Sequence, residues 1–165
     1  TELDIAKGTI YKHFKSKNQL YLELIILNER KLLDISKKYK NNIKTYVSQY
    51  MLYNMLNSNR TILLHVIEDR LTNNEKKLKE LFEELYQVRE ERIIEIKDMT
   101  DEYLKSLDSA MSIRDYLSYV WTVTYGASLL LNSTHYQKSI GSRERLIKLY
   151  INQALMTPDK ISSVS

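Results

Sequence analysis

Three glycines and a single proline interrupt 165 residues, and that scarcity constrains the fold more than any other feature. Glycine and proline punctuate turns, so a chain poor in both must have short loops and long elements. Apolar residues recur three and four apart, as in Leu78, Leu81, Phe82 and Leu85. That spacing lines one face of a helix and does not suit a strand. The expected class is therefore all-α. A composition 43% hydrophobic and 28% charged can bury one sizeable core. The most apolar runs, around Leu20 to Leu27 and Ala127 to Leu131, are too short to span a bilayer, so no membrane partner is expected. The absence of cysteine excludes a disulfide framework and thiolate chemistry and fits the reducing cytoplasm.

Local signals place the helices. Ser16-Lys17-Asn18-Gln19 has the form of a capping box, so a helix is expected from near Lys17 through Leu20, Leu24, Leu27 and Leu32 toward Tyr39. After Asn41-Asn42 a second should run from Ile43 to Leu56, and after Asn57-Ser58-Asn59 a short third from about Thr61 to Arg70. Asn73-Asn74 is expected to cap a long amphipathic segment from Glu75 to about Leu107, with room for a kink beyond Lys97. Ser112 to Asp115 is another capping signature, ahead of an almost uncharged helix from Tyr116 to Asn132. A helix apolar around most of its circumference needs burial on two sides, and Gly126 would allow another helix close. A last helix, opened by Ser142, should span Arg143 to Met156 and stop before Pro158. Two closing helices with surplus apolar surface, about 112–132 and 142–156, are what a homodimer interface requires.

The charge is uneven. Residues 1–40 hold nine Lys/Arg against five Asp/Glu, while the rest of the chain carries sixteen of each sign. The surplus is concentrated in Lys7-Gly8-Thr9-Ile10-Tyr11-Lys12-His13-Phe14-Lys15-Ser16-Lys17. If this stretch is helical, Ile10 and Phe14 share an apolar back, and Lys7, Thr9, Tyr11, Lys12 and His13 spread over the opposite arc. Those five side chains all donate hydrogen bonds suited to phosphate oxygens. A cationic, hydroxyl-rich front on an apolar back points to double-stranded DNA, and the neutral remainder to a body that positions it.

These residues resemble the helix-turn-helix of the tetracycline-repressor (TetR/AcrR) family of bacterial transcription regulators. The Gly8-Thr9-Ile10-Tyr11, His13-Phe14 and Ser16-Lys17-x-x-Leu20 elements match that family's pattern without a gap. Asp4 stands where the family has a turn glycine, and aspartate tolerates that geometry better than most residues. Ala6 replaces a serine cap, a loss worth about 1 kcal/mol. The resemblance implies a recognition helix over about 7–14 that enters the major groove of a palindromic operator, with half-sites about 34–36 Å apart or a multiple of that. It implies phosphate contacts from Thr9, Tyr11, His13 and Lys17, with Lys7, Gly8 and Lys12 close to bases or backbone. The family's first helix and most of its second precede the point at which this chain begins, so a longer protein is expected. The organisation expected is a partial helix-turn-helix head (1–16), a connecting helix (17–40), a ligand-binding and dimerisation body (41–157) and a C-terminal tail (158–165).

No catalytic constellation emerges. His13, His65 and His135 are far apart, metal-ligand spacing is lacking, and no glycine-rich phosphate loop exists. Catalytic residues, metal and cofactors are therefore all expected to be none, and the protein is not expected to be an enzyme. The unusual resource is 13 tyrosines against two phenylalanines. Tyrosine brings apolar area together with a hydroxyl that wants a partner. Tyr50, Met51, Tyr53, Met55, His65, Tyr86, Arg89, Trp121 and Tyr125 are the candidates to line a pocket for a small apolar or aromatic effector, as the resemblance also implies. Core packing is the plainer reading of any one of them. The function expected is a ligand-responsive, homodimeric repressor; the rivals are a structural helical dimer without DNA function and a basic protein that binds membranes.

Overall fold

The computed structural model describes residues 16–74, 78–139 and 141–160. The described residues form seven helices and no strand: α1 (Lys17–Lys38), α2 (Ile43–Leu56), α3 (Ser58–Asn74), α4 (Lys79–Ser106), α5 (Ile113–Leu131), α6 (Thr134–Gln137) and α7 (Arg143–Lys160). The all-α expectation holds. The Ser16 hydroxyl accepts from the Gln19 amide and Asn42 from Thr45, while Ser112 and Asp115 close a reciprocal capping box.

Three boundaries differ from the sequence reading. Asn57-Ser58-Asn59 is not a loop, because only Asn57 separates the end of α2 from the start of α3. The junction survives because side chains serve the last carbonyls of α2. Asn57 and Arg60 donate to the Tyr53 carbonyl, Thr61 to that of Asn54 and Arg143 to that of Met55. Asn73-Asn74 belongs to the end of α3 and does not cap α4, which runs from Lys79 to Ser106 as one uninterrupted helix. Pro158 does not end α7 but lies inside it, and its ring is fully buried. Proline removes the N–H that would bond the carbonyl four residues earlier, here Ala154. That carbonyl accepts from the Tyr116 hydroxyl instead, at 3.1 Å.

The helices enclose α2, which packs against α5 and α7, while α4 runs along α1. The main core joins Val47, Met51 and Met55 of α2 to Ile96 of α4, Tyr116 and Val120 of α5, and Ile147 and Ala154 of α7. A smaller core at the start of α1 joins Leu22, Ile25 and Ile26 to Leu71, Phe82 and Leu85. Among the described residues, apolar side chains remain exposed on several helices. Leu24 and Leu27 of α1 point outward although they lie on the apolar line read from the sequence. On α5 and α7, Leu129, Leu149 and Met156 are exposed, and a Cβ built on Gly126 would meet nothing within 4 Å. Among the described residues, then, α5 is buried on one side only.

Candidate functional site

Helix α1 presents Leu22, Ile25, Ile26, Glu29, Leu32, Leu33 and Ser36 inward. The steps of three and four define one face, and a carboxylate lies in the middle of it. A charge buried among leucines must be paired, and Glu29, 5% exposed, has two partners on α4. Arg92 donates to it from Nε at 2.8 Å, and Arg89 from Nε at 3.2 Å. Arg89 also grips Glu68 of α3 in bidentate fashion, at 2.6 and 2.7 Å. Two carboxylates and two guanidiniums thus tie α1, α3 and α4 together with no net charge. Burial opposes the charge on both arginines, but Glu29 and the tyrosines beside Arg92, and Glu68 and Glu29 beside Arg89, outweigh it. Both pKa values sit above the ordinary guanidinium value.

Around this network lies a cavity of about 350 Å³, walled by α1 to α5. Five of the nine expected pocket residues meet here: Tyr50, His65, Arg89, Trp121 and Tyr125. Trp121 and Tyr125, one turn apart on α5, stack with centroids 5.4 Å apart, and His65 sets its ring edge against Tyr125 at 4.6 Å. The other four lie elsewhere. Met51 and Met55 are completely enclosed in the core beside α5 and α7, because α2 is buried on more than one side. Tyr86 is half exposed and packs on Phe82. Tyr53 turns its hydroxyl to Asn28 of α1 at 2.8 Å, under the Arg60 guanidinium. A second cavity, about 810 Å³, opens between α4 and α5 and shares Tyr50, Arg92 and Trp121 with the first. Burial pushes the Tyr50 phenol up to about 12, a rise that Arg92 limits.

Glu29, Glu68 and Arg92 were missed by the sequence reading. A signal existed for two of them: Glu29 falls on the apolar period of α1, and Arg92 on that of Leu85, Val88, Ile96 and Thr100 of α4. Of the DNA-facing candidates, Lys7, Gly8, Thr9, Tyr11, Lys12 and His13 lie outside the described residues. Lys17 is the first residue of α1, exposed, with its ammonium 5.5 Å from the Tyr21 ring. No helix among the described residues is long and apolar enough to cross a membrane.

An all-α body led by a cationic segment with a helix-turn-helix signature defines a DNA-binding regulator. Residues 1–24 match the family described as bacterial regulatory proteins, tetR family, which supports a DNA-binding regulator of that type. The match extends through Leu24, so it covers the first third of α1. No curated protein matches the chain.

Proposed function

We propose that the protein is a homodimeric repressor whose grip on a palindromic operator is released by a small molecule held in the body. One observation carries this reading. The helix that continues directly from the family-matched segment buries a carboxylate against the wall of a cavity. A ligand that rearranges this wall acts on α1, and through it on the head. Ligand binding and operator binding then oppose each other by one coupling free energy. Thr9, Tyr11, His13 and Lys17 hold phosphates in this scheme, and Lys7, Gly8 and Lys12 approach the bases. The exposed apolar residues of α5 and α7, together with open Gly126, support pairing of two copies through these helices.

Selection of duplexes from a random pool by the full-length protein is expected to return a palindrome, bound by a dimer in sedimentation. A protein that sediments as a monomer and enriches no sequence overturns the reading. Lys17→Ala should weaken binding to every duplex and flatten the salt slope by about 0.9, the value for one phosphate. An unchanged slope removes Lys17 from the contacts.

A further inference from the structure

The larger cavity differs in charge from the smaller one. Its walls are apolar, formed by Ile96, Ile113, Leu117, Val120 and Trp121. Its charged lining consists of Arg92, Lys97 and Arg114, with no carboxylate among the described residues that line it. Lys97 and Arg114 are exposed, and neither pairs with a carboxylate among the described residues. Arg92 is the inner cation, its side chain 14% exposed, and it also borders the smaller cavity. It meets Glu29 through the single Nε contact, whereas Arg89 holds Glu68 with two. A guanidinium held by one carboxylate through Nε alone can gain a bond by turning to a second carboxylate that meets two of its N–H groups at once.

We propose that this cavity takes an anionic amphiphile, an apolar chain ending in a carboxylate or phosphate, and that its anionic end competes with Glu29 for Arg92. The proposal rests on the ligand-responsive reading above and names both the ligand class and the contact that transmits binding. The apolar walls hold the chain, and the cavity lies within the range of about 300–1,000 Å³ that suits small ligands. Lys97 and Arg114 draw the anion in. Displaced from Arg92, Glu29 keeps only its longer contact to Arg89, and α1 loses one of the two ties at its centre.

Trp121 lines both cavities and is the sole tryptophan, so its emission reports occupancy directly. The test titrates the whole chain with laurate, dodecanol and dodecylamine. Laurate is expected to saturate at about tenfold lower concentration than dodecanol, as one charge-assisted contact implies, and dodecylamine to bind worst. Changing Lys97→Gln and Arg114→Gln together should weaken laurate severalfold and leave dodecanol unchanged. Glu29→Gln should tighten laurate severalfold, because the competitor loses its charge. Glu68→Gln removes the same charge from Arg89 and should have little effect, which separates competition at Arg92 from a general change in potential. Dodecanol or dodecylamine binding as tightly as laurate overturns the anionic assignment while leaving a ligand-responsive body intact. Silence of Trp121 with all three, or unchanged or weaker laurate binding in Glu29→Gln, overturns the proposal outright. Neither result bears on operator selection, which tests the regulator reading separately.

Discussion

Helices α1 and α7 lie on different sides of the body and are attached by different physics. Helix α1 is held to α3 and α4 at its centre by Glu29, Glu68, Arg89 and Arg92, and along its surface by Arg30 with Glu84 and Lys37 with Glu91. Helix α7 is held mainly by tyrosine hydroxyls on its backbone carbonyls and by apolar burial, with a single guanidinium at its start and no ion pair to the other helices among the described residues. Tyr103 donates to the Leu155 carbonyl at 2.9 Å, Tyr116 to that of Ala154, and Ile147 and Ala154 sit in the main core. Arg143 adds bonds from the start of α7 to the carbonyls of Leu131 and Met55. An ion can exchange partners with another ion, whereas a packed carbonyl has no mobile competitor. The charged seam is thus the one a ligand can reset, and the neutral seam is the one that stays put.

The heaviest blow to the charged seam is Glu29→Leu, which leaves Arg92 buried without its main counter-ion. A loss of about 3 kcal/mol is expected in urea unfolding. A loss below about 1 kcal/mol would mean that the seam is apolar in substance. Alkali probes the same region through Tyr50. Its pKa is raised by burial from 10 to about 12, so the folded state prefers the protonated phenol. Its contribution is whole below pH 10 and drains as pH rises toward 12, on the order of 3 kcal/mol in all. Tyr50→Phe should make the urea midpoint fall less steeply across that window, and identical slopes would refute the assignment.

The neutral seam is tested by a double-mutant cycle. Tyr116→Phe leaves the Ala154 carbonyl unserved and should cost about 1.5 kcal/mol. In a Pro158→Ala background a backbone N–H becomes available, and the same change should cost about 0.5 kcal/mol. Equal costs in both backgrounds would break the link between the proline and the tyrosine. The smallest effect belongs to the rim. Arg30→Ala removes a half-exposed pair with Glu84 and should cost under about 0.5 kcal/mol, vanishing in 1 M salt.

Much of this was legible one residue at a time. The caps at Ser16, Asn42 and Ser112 announce three helix starts, because capping needs only the residues within a turn. The segment proposed to face DNA could be picked out for the same reason, since its donors lie within eleven consecutive residues. The cavity was half legible. Tyr50, His65, Arg89, Trp121 and Tyr125 converge, but Met51 and Met55 went to the core and Tyr86 to the surface. Aromatic and thioether chemistry marks a residue as able to line a pocket without saying which side of its helix faces one.

Helix content, the capped starts and the cationic head were decided by the chain's own order of residues, because each depends on neighbours within a few positions. Only the assembled body could decide that Glu29 meets Arg92 across 63 positions, or that Tyr116 answers the bond Pro158 removes. Burial makes a lone charge or carbonyl costly, and which partner relieves that cost depends on how the helices cross.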